Sequence, residues 1–138
     1  MITKADLETL SEARLIDARE LFKAGRYSAA YYLSGYAIEL GIKACIAALF
    51  QADAIPDKGL VNAVYSHKLD ELLGIAGIKE HLKADSKNNP ALSAAWGIAS
   101  KWSEASRYEM WDQFAADSML NAVGDPNCGV LQWLKKHW

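Results

Sequence analysis

GRYSAAYYLSGYAIELGIKACIAALF, running from Gly25 to Phe50, is the stretch whose reading decides the fold. From Ala29 to Phe50 the only charged residues are Glu39 and Lys43, four apart and so about one turn from each other on one helix face. A carboxylate and an ammonium inside an apolar helix are costly unless paired. They form either a structural pair or part of a site. The run is long enough to raise the question of a membrane span, which takes about 20 apolar residues. Glu39 and Lys43 near its centre, at roughly 2.5–3.5 kcal/mol each on insertion, argue against one. So do Tyr31, Tyr32 and Tyr36. The stretch reads as a helix buried on most sides within a soluble bundle.

Within that helix, Ala30, Ser34, Ala37, Gly41, Ala44 and Ala48 form a seam of small residues with alternating spacings of four and three. That is the rhythm of close helix packing. A larger seam, Tyr31, Gly35, Ile38, Ile42, Cys45 and Leu49, lies beside it. A helix apolar on several faces belongs at the centre of a bundle or at a subunit interface.

Outward from this element, a first helix is predicted over Lys4 to Ala24, with Thr3 and Asp6 as a capping box and Gly25 as its stop. Its apolar stripe is Leu7, Leu10, Ala18, Leu21 and Phe22, and Arg14 falls on that stripe as a snorkelling stem. Pro56, Asp57 and Gly59 make 51–65 a loop with one weak turn. Ser66 caps a third helix over His67 to Ala76, ended by Gly77. The polar segment 79–89 reads as a loop with a helical turn. Asn89-Pro90 is a clear helix start, for a helix over Pro90 to Ser106. Further helices are expected over Asp112 to Val123 and Cys128 to His137. No run alternates at period two, so no sheet is expected.

The totals bound the function. A chain of 138 residues fits one domain, 1–138, with a proper core. A net charge of −2 gives no global grip on nucleic acid, so such binding needs a local basic patch. Cys45 and Cys128 are far apart in sequence, no CxxC pair occurs, and no secretory signal opens the chain. A cytoplasmic protein with reduced thiols is the expectation. His67, His81 and His137 have no metal-ligand spacing, so no metal site is expected. No glycine-rich phosphate loop and no GxSxG serine are present, and no cofactor is implied.

AGRYSAAYYLSGYAIELGIKACIA (24–47) resembles the second helix of HEPN domains, which are small α-helical proteins, often dimeric. The resemblance extends to YSHKLDELL (65–73), to WGIASKWSEASRY (96–108) and to DPNCGVLQWLKKHW (125–138), in order and across nearly the whole chain. It implies an all-α, up-and-down bundle of four to five main helices. It also implies functions around nucleotides and RNA. Many members are metal-independent ribonucleases and toxins, often encoded with a nucleotidyltransferase partner, and others act as binding or scaffolding modules. The nuclease members carry Arg, then four to six residues, then His, for the scissile phosphate and for proton transfer. Arg107 is the counterpart of that arginine. Where the histidine would stand, the chain has Asp112, Gln113 and Phe114. A carboxylate near phosphate repels the substrate and has a poorly matched pKa, so the motif is incomplete.

The remaining candidates each carry two readings. Glu39 and Lys43 are a self-satisfying core pair or the floor of a polar cleft shared with Arg107. Arg26 and Tyr27 serve helix entry or contact phosphate at a helix start. His67 is an ordinary cap-turn histidine or the missing base. Arg107-Tyr108, after Trp102, offers a phosphate fork with a stacking surface, and Trp111 stands close enough in sequence to stack or to join a dimer contact. Three functions follow. The first is a HEPN-like binding module for a nucleotide, RNA or a partner protein, acting as a homodimer. The second is a divergent ribonuclease of a toxin–antitoxin pair, with Arg107 and either His67 or Asp112. The third is a purely structural dimerisation protein.

Overall fold

The computed structural model describes residues 1–138, and it is entirely helical. Helices α1 (Lys4–Lys23) and α2 (Tyr27–Ala47) form an antiparallel hairpin. Thr3 and Asp6 close the capping box at the start of α1, the Thr3 hydroxyl accepting from the Asp6 amide at 3.1 Å. At its other end Gly25 sits at φ +76, the left-handed conformation in which glycine escapes the Cβ clash. The Arg26 amide then donates to Leu21 O at 2.8 Å and the Gly25 amide to Phe22 O at 3.0 Å, which is the Schellman closure.

After the hairpin come α3 (Lys58–Val64), α4 (Leu69–Ala76), α5 (Lys79–Asn88), α6 (Pro90–Ala99), a 3-10 turn (Glu104–Tyr108), α7 (Gln113–Gly124) and α8 (Val130–Lys135). The long members make the expected bundle, with α2 at its centre touching α1, α4, α7, α8 and the 3-10 turn. Ile38, Ile42 and Ile46 are wholly buried on α2. Each contributes about 1.5–3 kcal/mol by leaving water. No helix is long and apolar enough to cross a membrane.

Both seams of α2 pack as read, up to their last members: Ala48 and Leu49 lie beyond the helix and are exposed. The small seam lets neighbours come close. Ser11 of α1 donates to Ala37 O at 2.6 Å, and a Cβ on Gly41 would stand 3.2 Å from both Leu131 and Leu134 of α8. Trp138 reaches back to donate from Nε1 to Gly41 O at 3.0 Å, while Trp133 donates to Asp85 of α5 at 2.7 Å.

Four local expectations are corrected. The segment 51–65 holds a real helix, α3, capped by Asp57 accepting from the Leu60 amide at 2.9 Å. It buries nothing fully, so no apolar period announces it. The segment 79–89 is a ten-residue helix, α5, held by a single buried apolar residue, Leu82, and by the Trp133–Asp85 bond. The helix from Pro90 ends at Ala99, because Trp102 turns inward against Gly35 and its indole N–H donates to Tyr32 O at 3.0 Å. Helix α4 begins at Leu69 rather than at His67, and Ser66 instead accepts from the Lys68 amide and donates to Glu71.

Candidate functional site

An α-helix turns about 100° per residue, so spacings of four, three and four keep one bearing. Tyr32, Tyr36, Glu39 and Lys43 have that spacing and form one polar stripe along α2. The small-residue seam lies on the opposite side. At the centre of the stripe Glu39 is 1% exposed, and its Oε1 accepts from Lys43 Nζ at 2.9 Å. His67, just before α4, brings Nδ1 to the same oxygen at 2.8 Å. A carboxylate oxygen only accepts, so Nδ1 carries the proton of that bond.

His67 is the link outward. Its Nε2 lies 3.7 Å from Oε1 of Glu104, and Arg107 Nη1 lies 3.1 Å from that same oxygen. Lys43, Glu39, His67, Glu104 and Arg107 thus form one unbroken chain of charged and titratable groups, from the core to the surface. Glu39 Oε2 is buried and has no hydrogen-bond partner. Native interiors leave few such atoms, so this oxygen is polar capacity that the packing does not use.

The arm that presents Arg107 is the 3-10 turn, and tryptophans fix it at both ends. Trp102 anchors the near end on the Tyr32 carbonyl and fills the space left by Gly35. Trp111 anchors the far end: its amide donates to Ser28 Oγ at 2.8 Å, its indole N–H donates to Ser106 O at 3.2 Å, and its ring stacks on Tyr31 at 3.8 Å. Within the turn, Ser103 and Ser106 form a reciprocal capping box. Trp111 is therefore an internal clamp, and Tyr108 is the aromatic that faces outward, 79% exposed, with the Arg107 guanidinium 4.9 Å from its ring centroid.

The pKa of Arg107 is raised, first by the Tyr108 side chain, with Glu104 and Tyr32 adding to the effect. The phenol of Tyr36 is also pushed up, chiefly by burial and then by the Glu39 carboxylate, with Arg14 opposing. Arg14 itself lies half-buried and is held by Asp17 at 2.6 Å.

Other candidates stand elsewhere. Arg26 is the exposed N-cap of α2 and makes no side-chain cap bond; Tyr27 packs edge-on against Phe22 at 5.3 Å. Twelve residues separate Tyr27 from Glu39, about 18 Å along the helix axis. Asp112 caps α7, its carboxylate accepting from the Ala115 amide at 2.8 Å. No group of three or more His, Cys, Asp or Glu side chains is arranged to hold a metal ion. Sequence reasoning missed Glu104, Tyr32 and Tyr36. The four-three-four spacing that runs through Glu39 and Lys43 also picks out both tyrosines, and Glu104 stands one 3-10 turn before Arg107.

The sequence profile of the HEPN domain matches residues 9–120. That span holds every member of the charged chain. No curated protein and no solved structure matches the chain.

Proposed function

The chain belongs to the HEPN domain family, and from that premise we propose that it is a binding module of nucleotide- or RNA-related function whose anion seat is Arg107. The observation that carries this reading is the run of groups from Lys43 through Glu39, His67 and Glu104 to Arg107. Arg107 supplies a planar fork of donors for phosphate oxygens. Tyr108 beside it supplies an exposed ring on which a base can stack. The buried end of the chain fixes His67, so the charged row is organised before a ligand arrives.

The test is fluorescence anisotropy with a labelled single-stranded oligoribonucleotide, followed by a gel of the same RNA after incubation. Arg107→Ala weakens binding by about ten-fold, and the RNA stays intact. RNA degraded by wild type but not by Arg107→Ala contradicts the non-catalytic reading.

One observation favours a second reading, a divergent metal-independent ribonuclease acting as the toxin of a toxin–antitoxin pair. His67 and Arg107 meet at a single oxygen, although no histidine follows Arg107 in sequence. In that reading Arg107 holds the phosphate, His67 moves the proton, and Glu39 orients the ring. His67→Asn then abolishes cleavage while leaving RNA binding in place. Asp112, committed to its helix cap, has no part in it.

The same module is proposed to work in the cytoplasm as a homodimer, with a nucleotidyltransferase as its protein partner. Tyr108, Met110 and Phe114 support an interface: they are 79%, 97% and 81% exposed on one short segment. Light scattering at micromolar concentration checks it, and a monomer contradicts it.

A further inference from the structure

The place beside Arg107 is already taken by a carboxylate. Oε1 of Glu104 sits 3.1 Å from Arg107 Nη1 and 3.7 Å from His67 Nε2. Any anion that uses both groups must take that oxygen's position. We propose that Glu104 is an internal anion that the ligand displaces, and that the site prefers a terminal phosphate monoester, with its extra negative charge beside Arg107, over an internal phosphodiester. The inference rests on the anion-site reading above and names its substrate class.

Binding at this place is an exchange of one anion for another. A phosphodiester carries a single negative charge, as Glu104 does. Swapping one for the other leaves the charge beside Arg107 and His67 unchanged. Glu104 also competes from within the chain, at the millimolar or higher effective concentration of a short tether. Every ligand meets that competition alike, so the ligand's own charge decides between them. A phosphate monoester carries about −1.5 to −2 at pH 7 and three terminal oxygens. It replaces what Glu104 gave to Arg107 and His67 and brings further charge. The further charge falls beside the Arg107 guanidinium and the His67 ring, 43% and 45% exposed, the two groups that Glu104 now faces.

The exchange needs only a side-chain rotation. Glu104 is 35% exposed and can swing into water. The backbone that carries it and Arg107 stays where Trp102 and Trp111 hold it. The capping box between Ser103 and Ser106 keeps the turn closed without any contribution from the Glu104 carboxylate.

The experiment is a competition titration with three unlabelled oligoribonucleotides of one sequence, ending in a 5′-phosphate, a 3′-phosphate or hydroxyls only. They displace a labelled 5′-phosphorylated probe from wild type, Glu104→Gln and Arg107→Ala. Wild type is expected to prefer at least one phosphorylated end by about ten-fold, and the arm that wins tells which end is read. Glu104→Gln, whose amide keeps the size and loses the charge, is expected to tighten all three by a similar factor of about three to ten and to keep the preference, because an internal competitor weakens every ligand alike. Such a gain of affinity does not arise from misfolding, and an unchanged circular dichroism spectrum accompanies it. If wild type binds the three alike, or Glu104→Gln tightens none of them, while Arg107→Ala still weakens binding about ten-fold, the proposal is wrong and the anion site stands. If no oligonucleotide binds, or binding ignores Arg107→Ala, the anion-site reading itself falls.

Discussion

Two opposite faces of α2 share one backbone and end in different states of satisfaction. On the small-residue face, Ala30, Ser34, Ala37, Gly41 and Ala44 let α1 and α8 come close, and the polar groups are used up locally: Ser34 donates to Ala30 O and Ser11 to Ala37 O. On the other face, Tyr32, Tyr36, Glu39 and Lys43 take a charge into the interior and leave Glu39 Oε2 unbonded. The first face is committed to holding the bundle together. The second carries polar capacity that the fold does not consume, and it runs outward through His67 and Glu104 to a guanidinium fixed in place.

The comparison can be broken hardest where the two faces join. A Cβ on Gly35 would fall within the Trp102 indole. Gly35→Ala is therefore expected to cost about 3 kcal/mol in urea unfolding, at the upper end of overpacking, and to weaken anion binding by releasing the Arg107 arm. A stable variant with normal binding contradicts the role given to Trp102.

Next comes an asymmetry within the polar face. Lys43→Leu leaves the buried Glu39 carboxylate with one half-exposed partner, His67, and is expected to cost about 1–3 kcal/mol. Glu39→Leu frees Lys43 and His67 to meet water and is expected to change stability by less than about 1 kcal/mol, while disordering His67. Equal costs, again by urea unfolding, mean that the stripe is an ordinary core pair.

Arg107→Ala sharpens the contrast further. Anion affinity falls about ten-fold, or about 1.4 kcal/mol, while stability stays within about 0.5 kcal/mol, as befits an exposed side chain. Titration calorimetry and unfolding on the same sample check both parts.

The smallest effect lies at the far end of the packed face, where His137 rests on Trp133 at 4.4 Å and near His81 at 5.9 Å. Its pKa is lowered from 6.5, first by burial and then by His81, with Asp85 opposing. A depressed value means that the unfolded chain binds the proton more readily. The contribution to stability is thus complete above pH 6.5 and is lost as the pH falls through the folded value. Unfolding curves of His137→Gln should lose part of the wild type's decline between pH 7 and pH 5.

The same contrast explains what could be read from the sequence. Packing faces repeat, so the α2 seams, the Thr3–Asp6 box and the stop at Gly25 were all legible. Helix α5 was not, because one buried leucine makes no period and its anchor, Trp133, lies 48 residues downstream of Asp85. For the site, Glu39, Lys43 and Arg107 were visible as anomalies of charge. Their connection stood only as one of two readings, since the meeting of His67 with Glu39 depends on α4 folding back across 28 residues. Arg26 and Tyr27 stand at the start of α2, and the length of the helix keeps the phosphate contact read for them apart from the charged chain at its centre.

The central claim, that the polar face of α2 ends in an anion seat at Arg107, is tested most directly by amide chemical-shift mapping of the protein titrated with AMP. The account predicts that the shifts gather at His67, Glu104, Arg107 and Tyr108, and that Arg107→Ala removes them. Shifts confined to another surface, such as the groove between α4, α5 and α6 lined by Lys79, Lys83, Lys87 and Trp96, would contradict it, as would no shifts at all.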